Sequence, residues 1–314
     1  MKPLNIVILG GTGFVGSHLV PRLQADGHRI AVLSRNREKH RELTVIPGVR
    51  VITADVYDGD LLRCHLANAD AAINLVGILN EHGSSGEGFR KAHVELTETL
   101  IAACQAVRVP RLLQMSALRA GEGESFYLRT RGDAEARVKS SRLAWTIFRP
   151  SVIFGPGDGL FFRFAHLLRF APALPLARAN AKFTPVYVGD VAEAFARAIA
   201  HPHSAAHMYE LFGPRTITLQ EIVRWTAELT GRRRWIIPLP DSLGFLQAAV
   251  GEWLPGKPIS RDNFRSLKID SVGTQDGLAA LGIVATPMDA VVPPLLRGDD
   301  WQQRLDAYRE MHRG

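Results

Sequence analysis

Leu4-Asn-Ile-Val-Ile-Leu9 running straight into Gly10-Gly-Thr-Gly-Phe-Val-Gly16 is the stretch that decides the fold. The first six residues are a short, largely apolar run of strand character, and the residues after the glycines take up a helical pattern. A strand, a glycine turn and a helix in that order make a seat for an anion. Gly10 permits the tight turn, Gly13 lets backbone approach a pyrophosphate, and Gly16 allows helix and strand to touch. Thr12, Phe14 and Val15 complete the turn and the helix N-terminus, whose N–H groups face the phosphates. The spacing is GxxGxxG, and it predicts a bound dinucleotide.

The second apolar run ends in Leu33-Ser34-Arg35-Asn36-Arg37. A site for NAD usually carries a carboxylate at this point, about 20 residues after the turn, to accept from the ribose 2′-hydroxyl. Arg35 would instead form charge-assisted bonds to a 2′-phosphate, with Ser34 and Arg37 in reach. The expected cofactor is therefore NADP, with NADPH favoured over NADH. Without the turn upstream, the two arginines would read as an ordinary solvated loop.

Arg29–Ser34, Val49–Ala54, Ala71–Val76, Arg111–Ser116 and Ala144–Phe148 continue the strand pattern, separated by amphipathic stretches. This alternation predicts an α/β chain with a doubly wound parallel Rossmann sheet. After Arg149-Pro150 the alternation fails, and Pro150, Pro156, Pro172, Pro175 and Pro185 punctuate the next stretch of chain. The dinucleotide-binding domain is expected over 1–150 plus 183–202, the strand Phe183–Val188 and the helix after Asp190 returning to it. A smaller C-terminal α/β lobe for substrate or partner is expected over 151–182 plus 203–314. That lobe would include a strand at Met208–Phe212 and a helix opened by the capping-box spacing of Thr218 and Glu221.

The 314 residues are 46% hydrophobic and 22% charged, with no repeat or low-complexity tract, which is the composition of a folded globular chain. A net charge of +7 favours phosphate-bearing ligands or anionic membrane surfaces. Its basic residues are spread along the chain and form no arm, which argues against nucleic acid. Cys64 and Cys104 lack metal-ligand or redox spacing and suit a reduced cytosol. Leu4–Leu9 is too short for a signal sequence, and no stretch reaches the roughly 20 apolar residues of a membrane span. A cytoplasmic protein is expected, with peripheral attachment to the inner face of the membrane as the alternative.

Asp55-Val56 after the third strand and Asn74-Leu75-Val76-Gly77 after the fourth, taken with Gly10–Gly16, resemble the extended and atypical short-chain dehydrogenase/reductases, an epimerase/dehydratase-like superfamily. The resemblance implies that Asp55 and Val56 lie near the adenine amino group and Leu75, Val76 and Gly77 beside the cofactor ribose. Ser116-Ala-Leu118, Tyr127-Leu-Arg-Thr-Arg131, Arg149-Pro-Ser-Val-Ile-Phe-Gly-Pro156 and Pro185-Val-Tyr-Val-Gly-Asp-Val-Ala192 are similar to the NADPH-binding accessory subunits of respiratory complex I and their bacterial relatives. That likeness implies a place for Pro150, Ser151 and Val152 at the cofactor. It also implies kinship with reductase-like proteins of ubiquinone biosynthesis. As partners it suggests a membrane respiratory assembly, or a quinone-like or lipid substrate.

The superfamily's enzymes pair a tyrosine with a lysine four residues on, and add a serine from the preceding strand end. A phenol ordinarily titrates near ~10, and a neighbouring cation lowers it into a useful range. Tyr127 and Arg131 have the same-face spacing, and Ser116 ends the fifth strand. Arg131 stands where the family has lysine. It keeps the charge but cannot lose a proton, so no relay runs through it. Two readings stay open: a working acid/base pair, or a helix face packed on the cofactor without chemistry. Three functions are compatible with them: an oxidoreductase-like protein with a structural nucleotide, an active NADP-dependent reductase or epimerase, and a non-catalytic NADP-sensing module.

His93 reads as a packed, hydrogen-bonded histidine, and Glu81 with His82 as an exposed loop or a lid at the nicotinamide end. Phe161–Phe170 is a basic amphipathic helix with Arg163, His166 and Arg169 in one stripe. It either packs in the second lobe, lies on an anionic membrane or lines the entrance for a lipid-like substrate. Arg232-Arg-Arg-Trp235 is a solvated charge run or an extension of that basic face.

Overall fold

The computed structural model describes residues 2–81, 83–254, 257 and 259–297. Six strands, β1 (Asn5–Leu9), β2 (Arg29–Ser34), β3 (Val49–Thr53), β4 (Ala71–Asn74), β5 (Arg111–Met115) and β6 (Ala144–Pro150), are joined by a seventh, His207–Leu211. They form one sheet in the order β3-β2-β1-β4-β5-β6 and then the seventh, every pairing parallel.

The strands are apolar on both sides because both sides are covered. Ile6 and Ile8 face Leu19 and Leu23 of α1 (Phe14–Ala25) and Val191 and Phe195 of the Val188–Ala200 helix. Val7 and Leu9, one residue out of phase, face Leu62, Leu66, Leu96 and Leu100 on the other side. This is the doubly wound Rossmann arrangement. Chain order reverses between β1 and β4, and in such sheets the crevice beyond the strands' carboxyl ends at the reversal is where ligands bind.

The returning segment departs from expectation. The Val188–Ala200 helix does pack on α1, where Arg22 Nε lies 2.6 Å from Glu193 Oε2. Phe183–Val188, however, divides into Lys182–Phe183 and Val186–Tyr187, each paired in a separate two-stranded ribbon. Pro185 between them has no N–H for a continuous ladder. The strand that enters the main sheet is His207–Leu211, which pairs with β6, whereas the sequence pattern predicts the return of Phe183–Val188. Arg111 of β5 helps to seat it, its guanidinium donating to Ala144 O at 2.6 Å, Ser204 Oγ at 2.6 Å and Ala198 O at 3.2 Å.

Away from the sheet lie separate apolar clusters, one around Phe154, Phe161, Ile222 and Val292 and another around Leu168, Leu176 and Val223. The helices Phe161–Phe170, Leu219–Leu229 and Asp241–Gly251 surround a parallel ribbon of Ala173–Ala177 and Trp235–Leu239. The capping box of Thr218 and Glu221 is formed.

Candidate functional site

The glycine turn closes on itself through the Gly13 amide, which donates to Gly10 O at 3.0 Å. Gly10 has φ +74°, and a Cβ there would sit 2.9 Å from the Val76 amide nitrogen. A Cβ on Gly16 would overlap the backbone of Gly11. The turn therefore lies directly against the Leu75–Gly77 segment beyond β4, as the order reversal demands. α1 starts at Gly13 with no side-chain cap and no acidic residue in its first turn. Its first amides, among them those of Phe14, Val15 and Gly16, have no helical acceptor behind them, and nothing repels an anion placed there. Thr12 is half-buried at the tip of the turn. Phe14 packs edge-on to His18, whose Nε2 lies 3.0 Å from Pro156 O, bringing the link after β6 over the start of α1.

At the end of β2 the Ser34 hydroxyl is buried and holds the next turn, accepting from the Asn36 amide at 3.3 Å. Arg35 is exposed and has no ion-pair partner among the described residues, while Arg37 pairs with Glu38 at 3.0 Å. Asp55 Oδ1 accepts from the Tyr57 amide at 3.0 Å, and Val56 is buried. Burial pushes the Tyr57 phenol up, and the nearby charge of Arg35 opposes that shift. Lys91 Nζ stands 4.9 Å above the Tyr57 ring. Lys91 thus joins Arg35 at one end of the crevice. Nothing in its local sequence marks it, because only the tertiary approach of its helix to the β3 loop puts it there.

At the other end, Arg131 is buried at 5% exposure and reaches across the ends of β4 and β5. Its Nη1 donates to Met115 O at 2.9 Å and Val76 O at 3.3 Å, and its guanidinium lies where a Cβ of Gly77 would be. Its Nε is buried without an acceptor. Tyr127, one turn earlier and half-buried, has its ring 5.6 Å from the Arg131 Cζ and edge-on to both Phe89 and His93. Ser116 is not aimed at this pair. Its hydroxyl donates to Glu135 Oε1 at 2.6 Å, and Glu135 is gripped by Arg149 through contacts of 2.7 and 2.6 Å. The structure brings Tyr127 and Arg131 together and seats Ser116 in a buried network one helical turn further on.

His93 is fixed in one tautomer. Thr130 Oγ1 gives its own hydrogen to Phe126 O at 2.7 Å, so His93 Nδ1 is the donor in the 2.8 Å contact with that hydroxyl. Nε2 then receives the Ile78 amide at 3.4 Å. Burial, reinforced by the charge of Arg131, pushes the ring down to about 2. A histidine so held is neutral and bridges the β4 loop to the Phe126–Ser140 helix. Glu81 is no part of an exposed loop: it is buried and accepts from the amides of Gly86 at 2.7 Å and Gly88 at 2.8 Å. His82 lies outside the described residues.

Asp262, far along the chain, accepts from the amides of Phe126 at 2.6 Å and Tyr127 at 3.1 Å. It holds the N-terminus of the helix that carries Tyr127 and Arg131, a role only the tertiary structure reveals. Ser151 donates to Ser271 O at 2.8 Å, while Pro150 O accepts from the Leu118 amide at 2.9 Å and Val152 O from that of Val186 at 3.0 Å. Arg163, His166 and Arg169 are exposed, whereas Phe161 and Leu168 on the same helix are buried. Among the described residues no helix is long and apolar enough to cross a membrane.

Residues 10–159 match a family model described as NAD(P)H-binding. The NADH dehydrogenase [ubiquinone] 1 alpha subcomplex subunit 9 of Arabidopsis thaliana is 28% identical over 93% of this chain and 75% of its own length. A ceramide reductase of Caulobacter vibrioides is 29% identical over 78% of this chain and 76% of its own. Among solved structures, a dTDP-glucose 4,6-dehydratase of Streptomyces venezuelae with NAD and TYD bound superposes with a TM-score of 0.74 at 19% identity, covering 94% of this chain and 96% of that one. The last likeness concerns the fold.

Proposed function

We propose, of a chain whose residues 10–159 belong to the NAD(P)H-binding family and whose fold is that of epimerase/dehydratase-like short-chain dehydrogenase/reductases, that it holds NADPH mainly as a structural element. The crevice residues fit a dinucleotide: an open helix N-terminus behind three glycines, an Arg35 with no ion-pair partner among the described residues, and a buried Arg131 Nε with no acceptor. In this reading Gly10, Gly13, Phe14, Val15 and Gly16 hold the pyrophosphate, with Thr12 at the turn's tip. Ser34, Arg35 and Arg37 take the 2′-phosphate, and Asp55 and Val56 border the adenine. Leu75, Val76, Gly77, Tyr127, Arg131, Pro150, Ser151 and Val152 surround the nicotinamide end.

The observation that carries the structural reading is the commitment of Arg131 Nη1 to two backbone carbonyls. Bound NADPH supplies a hydride. An arginine spent on fixing β4 to β5 contributes charge but gives and takes no proton. The names of the relatives suggest a place beside a membrane respiratory or quinone-handling assembly.

A second reading, a reductase acting on an apolar carbonyl or quinone, is favoured by Tyr127 lying close to the Arg131 cation. There Tyr127 would protonate the reduced oxygen while Arg131 holds the nucleotide. Mass identification of the nucleotide released from purified protein tests the binding reading: NADP supports it, and NAD alone overturns the Arg35 assignment. Turnover separates the two roles. Substrate-dependent NADPH oxidation lost in Tyr127→Phe would establish the reductase, and its absence in wild type with appearance in Arg131→Lys would show a catalytic scaffold disabled by the arginine.

A further inference from the structure

The Asp241–Gly251 helix is packed the wrong way round for a soluble surface. Its small residues face inward: Gly244 lies against Phe264 and Ala177, Ala248 is fully buried, and a Cβ on Gly251 would be 2.6 Å from Ile259 O. Its large ones face outward, with Leu243, Leu246 and Val250 exposed at 50, 58 and 55% and Trp253 just beyond at 90%. Burial energetics favour the opposite arrangement, since each large apolar side chain placed inside gains about 1.5–3 kcal/mol.

The apolar surface does not end with the helix. Ala173, Pro175 and Ala177 register with Trp235, Ile237 and Leu239, and paired residues of adjacent strands project to the same side. Trp235 and Ile237, exposed at 78 and 46%, therefore stand on the side of the ribbon that carries Ala177 and the helix resting on it. Phe170, exposed at 70%, precedes Pro172, whose carbonyl accepts the Trp235 amide at 3.2 Å. Exposed large apolar side chains on a helix and on the ribbon that carries it make a ridge of a kind that monomeric soluble surfaces rarely show.

Unpaired charge beside the ridge, among the described residues, includes a group of arginines. Arg232 Nη1 and Arg234 Nε donate to Ala165 O at 2.8 Å and Leu168 O at 3.0 Å, which fixes the 232–234 run against the Phe161–Phe170 helix and its Arg163 and Arg169. None of these five arginines has a carboxylate partner among the described residues. Two acids at the ends of the helix are neutralised: Asp241 is held by Arg178 at 2.8 Å and Glu252 by Arg261 at 2.8 Å.

We propose that this ridge and its arginines dock the smaller lobe on an anionic phospholipid surface. The apolar side chains enter the acyl boundary while the guanidinium groups meet the phosphates, as for interfacial helices. The proposal deepens the placement beside a membrane assembly by naming a direct lipid contact. It is independent of the nucleotide site, so its failure leaves that reading intact, as does failure of an assembly to co-migrate.

The test is flotation of the full chain with phosphatidylcholine vesicles, with and without phosphatidylglycerol. The chain is expected to float only with the anionic vesicles and to be released by salt. The Leu246→Glu, Val250→Glu double variant should abolish flotation, and each of Arg233→Ser and Arg169→Ser should weaken it about fivefold. Both ridge positions are exposed, and an unchanged melting temperature verifies folding. Wild type that stays unbound with anionic vesicles overturns the proposal, as does a dimer in solution that the double variant dissolves while no flotation is seen. Equal flotation with neutral vesicles would overturn the role of the arginines.

Discussion

Arg131 and Gly77 share one volume: the guanidinium Nη2 lies where a Cβ of residue 77 would be. The residue that stands in the lysine position is seated by the absence of a side chain on the facing loop.

Gly77→Ala is therefore expected to displace the guanidinium and break its bonds to Val76 and Met115, at a cost of about 1–3 kcal/mol. Made in an Arg131→Gln background, the same substitution should cost less than about 0.5 kcal/mol, the range of an indifferent surface change. Urea unfolding of the four proteins measures the coupling. Equal costs in both backgrounds would show that the two residues do not interact.

Arg35→Ser removes an exposed cation without an ion-pair partner among the described residues, so folding stability should stay within about 0.5 kcal/mol. The affinity for NADPH should fall by about 10- to 100-fold and that for NADH hardly at all, as expected for a charge-assisted bond to a phosphate. Fluorescence titration with both nucleotides decides it, and a parallel loss of both would remove Arg35 from the 2′-phosphate.

His93 makes stability pH-dependent. The unfolded ring titrates near ~6.5 and the folded one is held down to about 2, so the unfolded chain binds the extra proton. Its contribution is fully present above about pH 6.5 and is lost as pH falls, by roughly 1.4 kcal/mol per unit. Melting curves between pH 7 and 5 should accordingly be shallower in pH for His93→Gln than for wild type, whatever the variant's absolute stability. Parallel slopes would mean that the ring is not held neutral.

Asp262→Ala leaves two amides at the start of the Phe126–Ser140 helix without their acceptor, and should cost about 1–3 kcal/mol. Asp262→Asn keeps one good acceptor and should cost less. Amide exchange at Phe126 and Tyr127 is expected to quicken in Asp262→Ala. Unaltered exchange would show that Ser125, which caps the Leu128 amide at 3.1 Å, suffices alone.

The sheet was legible because its signals are local. β2 lies where its apolar run predicts, and the other five early strands differ from expectation by a residue or two at their ends. The glycine turn was legible for the same reason. Phe183–Val188 and Met208–Phe212 were not separable as sheet members: both are short apolar runs, and only the open edge of β6 and the seat made by Arg111 decide which one pairs. Within the crevice, residue type and i,i+4 spacing were enough to pair Tyr127 with Arg131. The hydroxyl direction of Ser116 was beyond reach, because Glu135 and Arg149 that capture it come from two other elements. Lys91 and Asp262 arrive from elements distant in sequence, and no local pattern marks such residues.

The seventh strand gives the molecule a history as well as an edge. A ribosome delivers β1 to β6, and with them the glycine turn and the loops that follow β2 to β5, before residues 151–206 and the strand at His207–Leu211 that pairs with Ala144–Pro150. During that interval the β6 ladder is open, the condition in which strands recruit foreign chains. The nascent chain thus completes its glycine turn while its aggregation hazard is still open.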